Sequence, residues 1–409
     1  MKCRHCAAEL ERVCLDLGSA PPSNAYLTAA ALRAPEVWYP LRLLVCERCW
    51  LVQTEDHAGR DELFSADYAY FSSFSTSWLA HAQAYVAAMR ERFALTPASL
   101  VCEVAANDGY LLRWVRDAGI PCFGVEPTAS TARAARALGI EIVERFFGVG
   151  VATELADAGR QVDLVAANNV LAHVPDINDF VQGFAILLKD NGVATFEFPH
   201  LLRLLRENQF DTVYHEHYSY LSLGTVERVF AANGLAVFDV EELPTHGGSL
   251  RVFAQSSDRG AHARTGAVAR VLADEAAAGL ATVAGYEGFL ARIDKLKDDF
   301  VAYLIDARRA GRRVAAYGAA AKGNTLMYYA GVRRDHIAFV VDRNPAKQGR
   351  FMPGSRIPIV GEERLREARP DDIVLLPWNL RDELVAQLDY ARAWGGRFVT
   401  AVPELRCTP

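Results

Sequence analysis

Residues Phe210 to Tyr220 read FDTVYHEHYSY and place Tyr214, His215, Glu216, His217, Tyr218 and Tyr220 within seven positions. Histidine has an ordinary pKa near neutrality, so it can take and return a proton at pH 7. A neighbouring carboxylate can orient an imidazole, and a phenol can hydrogen-bond a developing oxyanion. The same His-x-His spacing on an extended strand puts both rings on one face, which also suits a metal ion. Proton chemistry, a metal site and a structural polar network are all open readings of the run alone.

The cysteines form a second chemical group. Cys3 and Cys6 make one Cys-x-x-Cys pair and Cys46 and Cys49 another, with 39 residues between them. Two such turns can close a tetrahedral shell of four thiolates around zinc. Disulfides are the alternative, but a reducing cytosol disfavours them, and a redox motif needs only one pair. Structural zinc is therefore expected, in a segment too small for a large core of its own. Cys14, Cys102, Cys122 and Cys407 are expected to act as small apolar side chains.

The elements that position these groups follow from size and patterning. At 409 residues the chain exceeds one comfortable core, so two or three domains are expected. A hydrophobic fraction of 51%, a net charge of −6 and a pI near 6.0 fit a globular protein and exclude a general nucleic-acid binder. They leave room for a local basic pocket that takes a phosphorylated small molecule. The opening Met1-Lys2-Cys3-Arg4-His5-Cys6 has no apolar h-region, and no run of 18 apolar residues occurs. A cytoplasmic location without membrane contact is the expectation.

A helical pattern runs from Trp78 to Phe93. Strand-like runs at Ser99–Ala106, Pro121–Pro127, Ile140–Phe147, Val162–Val170 and Gly192–Pro199 then alternate with helical stretches. That alternation predicts a parallel sheet with helices on both faces, an α/β architecture. Ala236–Leu243 and Leu250–Gln255, joined by a Pro/Gly turn, predict an antiparallel hairpin at the sheet edge. Ala-rich helical sequence from about 260 to 310 reads as a packing linker, with Leu296, Phe300, Tyr303 and Leu304 on one face. A second βα series follows at Arg313–Gly318, Ile337–Asp342, Ile357–Val360, Asp372–Trp378 and Phe398–Val402. The expected domains are 1–65, a core at 66–258, a linker at 259–310 and a second Rossmann-like domain at 311–409.

The first strand of the core and its turn carry Glu103, Ala105, Asn107, Asp108 and Gly109, and the second strand ends at Glu126-Pro127. A turn of small residues lets a nucleoside-bearing ligand approach the backbone, and an acid at the second strand's end can bond both ribose hydroxyls. Asn168 and Asn169 follow the fourth strand. Together these segments resemble a class I S-adenosylmethionine methyltransferase core, with Ala105 standing where the first glycine of the usual turn would be. G-x-G-x-x-G is absent there, which weakens a dinucleotide-binding reading.

In the C-terminal unit, Gly318-Ala319-Ala320-Ala321-Lys322-Gly323-Asn324 follows a strand and opens a helix, so its amides and Lys322 suit a diphosphate. Asp342 and Asn379 follow later strands at the same edge and read equally as nucleoside ligands or loop turns. Arg251 reads equally as a phosphate ligand or a surface pair.

The order of the four cysteines, the Asn107-Asp108-Gly109 turn, His173, the Tyr214–Tyr220 run, His246-Gly247-Gly248-Ser249-Leu250-Arg251 and the second βα unit is similar to one family. It resembles the bacterial nucleotide-sugar C-methyltransferases, zinc-containing enzymes that add branch methyls to deoxysugars. The resemblance covers essentially the whole chain, and Tyr-His-Glu-His is its most specific part. It implies a zinc-binding N-terminal domain, a methyltransferase core using S-adenosylmethionine, and a Rossmann-like domain, with the nucleotide sugar between the last two. It further implies His217 as general base, His173, Tyr214 and Glu216 as further active-site residues, and Tyr68 near the sugar, with Tyr70 as the nearby alternative. His215 and His246 are carried as substrate-side candidates. The implied substrate is a 4-keto-6-deoxyhexose on a nucleoside diphosphate, usually thymidine diphosphate. An O- or N-methyltransferase of the same fold, a non-catalytic nucleotide-sugar binder and a dehydrogenase are the rival readings.

Overall fold

The computed structural model describes residues 1–57 and 71–409. Tyr68 and Tyr70 fall outside the described residues. Among those described, the strands form three sheets.

The first sheet is antiparallel: β1 (Arg12–Ala20), β2 (Tyr39–Val45), β3 (Val52–Thr54) and, from far along the chain, β9 (Ser219–Tyr220). The sequence reading placed no strands before residue 60. Their alternation is interrupted, because the β1–β2 register shifts twice, between Val13 and Leu15 and between Asp16 and Ser19. Bulges of this kind break the period-two pattern by which a strand is recognised.

The second sheet has seven strands. After α1 (Thr76–Arg92) come β4 (Val101–Val104), α2 (Leu112–Asp117), β5 (Cys122–Val125), α3 (Ala129–Ala137) and β6 (Glu141–Val143). Then follow α4 (Val149–Asp157), β7 (Val162–Asn168), α5 (Ile177–Leu187) and β8 (Leu188–Pro199). Beyond α6 (Leu201–Arg206) and α7 (Leu223–Ala232), β10 (Leu235–Leu243) and β11 (Ser249–Ser256) complete it. The spatial order is β10-β11-β8-β7-β4-β5-β6, with β4 to β8 parallel and β11 antiparallel to both neighbours. The predicted edge hairpin is thus only half at the edge, since β11 is inserted between β10 and β8. The order reverses on either side of β4 and β7, and a crevice at the strand ends of such a switch point is where α/β sheets bind ligands.

The linker is two helices, α8 (Gly266–Ala277) and α9 (Phe289–Arg309). In α9, Phe289, Ile293, Leu296, Phe300 and Leu304 are buried at helical spacing. They join leucines and valines of the N-terminal sheet and the apolar residues of the third sheet in one continuous core. That third sheet has the order β14-β13-β12-β15-β16-β17, from β12 (Val314–Tyr317), β13 (Val340–Val341), β14 (Ile359–Val360), β15 (Asp372–Leu375), β16 (Arg397–Thr400) and an antiparallel β17 (Arg406–Thr408). Helix α10 (Ala321–Tyr329) follows β12. Residues 23–27 cross to this domain: Tyr26 Oη donates to Ala319 O (2.5 Å), Asn324 Nδ2 donates to Ser23 O (2.6 Å), and Leu27 bridges Phe351. Of the remaining cysteines, Cys102 is fully buried as expected, while Cys407 is exposed on the terminal strand. No helix among the described residues is long and apolar enough to cross a membrane.

Candidate active site

The turn after β4 is built from left-handed residues. Ala105 (φ 60°), Asn107 (φ 49°) and Gly109 (φ 79°) all lie there. The positive φ at Ala105 accounts for the glycine usual at that place, since a Cβ there is mildly strained. At Gly109 a Cβ would stand 2.6 Å from Ile140 Cδ1, so only glycine fits. Glu126 is buried at the end of β5 and accepts from the amides of Asn107 (2.9 Å) and Thr128 (2.9 Å); Pro127 follows it. Burial raises the Glu126 and Glu103 carboxyls. Asn168 Oδ1, Asn169 Oδ1 and Asp108 Oδ1 are buried with no hydrogen-bond partner among the described residues. Orphaned buried acceptors are rare, and this group fits a ligand rich in donors and positive charge. Residues 72–74, not singled out from the sequence, close over the turn. Ser72 N donates to Asn107 Oδ1 (2.9 Å), and the Ser73 amide and hydroxyl donate to Asp108.

The Tyr214–Tyr220 run is not a strand up to Tyr218. It turns at His215–Glu216, and the two histidine rings part. His217 Nδ1 donates to Thr212 O (3.0 Å), which leaves Nε2 to accept from Tyr214 Oη (2.8 Å). His173, just past β7, donates from Nδ1 to Glu216 O (2.8 Å), and its ring meets His217 edge-on with centroids 4.5 Å apart. Burial lowers His173 to about 4 and holds His217 well below the ordinary value, with His173 adding to the second effect. Both imidazoles are therefore neutral at pH 7, each with an unprotonated Nε2. His173 in this tautomer accepts at Nε2 and has no second ring N–H to donate.

His215 faces the other way. Its Nε2 donates to Pro40 O (3.1 Å) and its ring packs edge-on against Tyr39, on the side of the N-terminal sheet. Glu216 accepts twice from Asn24 Nδ2 (2.8 and 2.7 Å). His246 does join the site: at φ 54° it accepts from Asn169 Nδ2 (3.2 Å) and lies edge-on to Trp78. Burial, with Lys322 nearby, lowers it to about 4.

Lys322 approaches from the third sheet. Its Nζ donates to Asn379 Oδ1 (2.6 Å) and stands 4.9 Å above the Trp378 ring. Trp378 Nε1 donates to Asp211 Oδ2 (2.7 Å), and burial pushes Asp211 up to about 6 against the pull of Lys322. Burial in turn lowers Lys322. Asp211, within the opening FDTVYHEHYSY run, was given no role from the sequence, whereas Trp378 belongs to the Pro377-Trp378-Asn379 turn that reads equally as a nucleoside ligand or a loop turn.

Five further substrate-side candidates have structural partners of their own. Arg251 lies directly across from Glu197 on β8 and Glu241 on β10, and its guanidinium binds both, at 2.6 and 2.8 Å. That buried cross-strand pair leaves nothing for a phosphate. Burial alone would raise Glu197, but His81 (2.8 Å) and Arg251 outweigh it and hold it low. Asn324 is buried at the joint with Ser23. Gly323 packs on Leu376, where a Cβ would come within 2.8 Å. Gly318 (φ 87°) stacks on Pro377, and Asp342 accepts from the amides of Ala319 (2.7 Å) and Asn344 (2.8 Å), which fixes the loop's shape.

In the N-terminal domain, the four sulfurs of Cys3, Cys6, Cys46 and Cys49 all lie within 4.8 Å of one another. A tetrahedral zinc with bonds of about 2.3 Å sets its sulfurs about 3.8 Å apart, so the set fits. Cys3 and Cys49 are in hydrogen-bond contact, sulfur to sulfur at 3.5 Å, and that contact lowers the Cys3 thiol and raises that of Cys49. A divalent ion would take the place of the proton in that contact.

The strand order, the left-handed turn and its uncapped acceptors define a class I S-adenosylmethionine-dependent methyltransferase. Family comparison agrees: residues 78–240 match a methyltransferase domain, residues 3–64 a zinc binding domain and residues 244–403 a C-methyltransferase C-terminal domain. The chain is 35% identical to the C-methyltransferase NovU of Streptomyces niveus over 405 residues, covering 99% of this chain and 96% of that one. The protein belongs to this C-methyltransferase family, with S-adenosylmethionine as its cofactor and zinc as the ion of its N-terminal domain. Two solved methyltransferases are also similar. Magnesium protoporphyrin IX methyltransferase of Synechocystis PCC 6803, with bound S-adenosylmethionine, is 16% identical over 44% of this chain and 79% of its own, with a TM-score of 0.33. A methyltransferase of Clostridium acetobutylicum ATCC 824 is 11% identical over 42% and 90%, with a TM-score of 0.35. Likeness at that level carries no weight beside the strand order.

Proposed function

We propose that the enzyme methylates the carbon beside the ketone of a nucleoside-diphosphate-linked 4-keto-6-deoxy sugar, with thymidine diphosphate the favoured carrier. The observation that carries this reading is the pair of neutral imidazoles, His217 buried and His173 half-buried. His217 and His173 meet at 4.5 Å, with the Tyr214 hydroxyl on His217 Nε2. A methyl acceptor that is already a good nucleophile does not need such a carbon-acid site.

In this mechanism the bound sugar draws the Tyr214 hydroxyl from His217 Nε2 to the ketone oxygen. His217 Nε2 takes the proton from the adjacent carbon, and the C–H electron pair moves into the enolate, whose oxyanion Tyr214 stabilises. Charging a buried imidazole is unfavourable alone, but the enolate forms beside it as counter-charge. S-adenosylmethionine supplies an electrophilic methyl on a positively charged sulfur; Glu103, Asp108, Glu126, Asn168 and Asn169 would hold it. The enolate carbon takes the methyl as the methyl–sulfur bond breaks and a neutral thioether is left, and His217 then releases its proton to water. Lys322, the first amides of α10 and Asn379 would bind the diphosphate, whose charge raises the neighbouring imidazoles toward the working pH.

Incubating a thymidine-diphosphate 4-keto-6-deoxyhexose with the protein in heavy water tests the base directly. Deuterium should enter the carbon beside the ketone, and His217→Ala should stop it with cofactor affinity nearly unchanged. Undiminished exchange in that variant would refute His217 as base, and loss only in His173→Ala would move the role to the second imidazole.

A further inference from the structure

Four consecutive residues of the catalytic loop are held by the N-terminal zinc-binding domain. His215 Nε2 donates to Pro40 O, and Asn24 Nδ2 donates to both oxygens of Glu216. Thr54 Oγ1 donates to His217 O (2.9 Å), and Thr54 N donates to Tyr218 O (3.2 Å). The Tyr218 ring lies 5.0 Å from the Arg4 guanidinium. Immediately beyond, Ser219 and Tyr220 pair with Gln53 and Val52 as β9 against β3.

The same short strand is tied to the cysteine cluster. Gln53 Nε2 donates to Cys3 Sγ (3.3 Å), and Gln53 Oε1 accepts from Arg4 N (3.0 Å), between the first two cysteines. From Cys3 through Gln53 and Thr54 to His217 is therefore a path of direct contacts. Gln53 and Thr54 are both essentially buried. Among the described residues, the methyltransferase core holds the loop through Tyr218 N to Ala172 O (2.8 Å) and His173 Nδ1 to Glu216 O.

We propose that the zinc-binding domain is the positioning scaffold of the catalytic loop, with Thr54 the positioning residue that fixes the His217 backbone. Zinc then acts on the reaction without touching substrate. It sets the place of β3, and β3 sets the place of the imidazole on the loop beside it. Misplacement of a reacting group by about 1 Å can lower a rate on the order of 10²-fold, so a lost contact here is read in turnover. This inference rests on His217 being the base.

The test uses the full-length zinc-loaded protein. Thr54→Val keeps the side chain's shape and removes the donor. It should lower kcat and heavy-water exchange into the sugar about 10- to 100-fold. KM for the nucleotide sugar and cofactor affinity should stay within about twofold, because neither site is touched. Thr54→Ser should restore the rate, since it returns the hydroxyl. Wild-type kcat in Thr54→Val overturns the proposal.

A second measurement needs no turnover and decides the matter if Thr54→Val does not fold. On removal of zinc with a chelator, hydrogen exchange at residues 213–221 should accelerate while β7 stays protected. Unchanged protection at 213–221, or loss shared equally by β7, overturns the scaffold. If His217→Ala keeps its exchange activity, the base assignment fails instead, and the chelation experiment still reports on the loop.

Discussion

His246 offers a quantitative check on the electrostatics of the pocket. It is half-buried and neutral at pH 7, lowered by desolvation from about 6.5 to about 4. At pH 5.5 an unfolded histidine is about ten parts protonated to one, while the folded one stays neutral, so unfolding is favoured by RT ln 11, about 1.4 kcal/mol. At pH 7.5 the same term is below about 0.1 kcal/mol. The sign is that of a depressed cation: no effect above the unfolded pKa, and stability lost as pH falls from about 6.5 toward 4. His173, lowered equally, adds a second such term, and His217 acts in the same direction. Asp211 opposes them, because a carboxyl raised to about 6 gains its proton in the folded state first. At pH 5.5 that stabilises by about 0.8 kcal/mol, so the histidines win. His246→Asn suits the left-handed backbone at φ 54° and removes one titrating group. Urea unfolding of both proteins at pH 7.5 and 5.5 should show the variant losing about 1.4 kcal/mol less than wild type over that interval. Equal losses would refute the neutral imidazole.

Gly247→Ala should weaken the joint between the core and the third sheet, because its Cβ would stand 2.4 Å from Trp378 Cη2 at φ 88°. Activity should fall far more than in Gly18→Ala, whose Cβ meets nothing within 4 Å; both are read by steady-state assay. Arg251→Met should cost about 3–5 kcal/mol by breaking a buried pair, seen as a lower Tm. KM for the nucleotide sugar should not change, and a rise in it would restore Arg251 to the phosphate. Cys3→Ser and Cys46→Ser should each abolish the single bound zinc in elemental analysis, with the N-terminal sheet losing hydrogen-exchange protection.

The seven-strand sheet was legible because its strands are buried on both faces and read as continuous apolar runs, as Val101–Val104 and Val162–Asn168 do. Strands β1 and β2 were not, since bulges and Pro40 interrupt their pattern. In the candidate site, residue type drew attention to the Tyr214–Tyr220 run but left its chemistry open, and the roles of His217, His173 and Tyr214 came from the family resemblance. Direction was hidden: His215 and His217 part at a turn that two-residue spacing does not reveal. Partners were hidden further, as Asn24 is 192 positions from Glu216 and Thr54 is 163 from His217. Arg251 shows the converse. A basic residue after a glycine pair suggests a phosphate, and only the register placing it between Glu197 and Glu241 shows otherwise.

The crossing of residues 23–27 has a consequence for how the chain is made. Tyr26 closes on Ala319 and Ser23 on Asn324, at separations of 293 and 301 residues. A growing chain can gather its cysteines early, yet Asn24, the partner of Glu216, is flanked by Ser23 and Tyr26, whose bonds to Asn324 and Ala319 form only once the third sheet emerges. Partly synthesised enzyme should therefore hold the metal without being able to methylate, so that no active species exists before the whole cleft does. Long-range closure of this kind is slow. The price is a late commitment to activity; the return is that a truncated chain is silent.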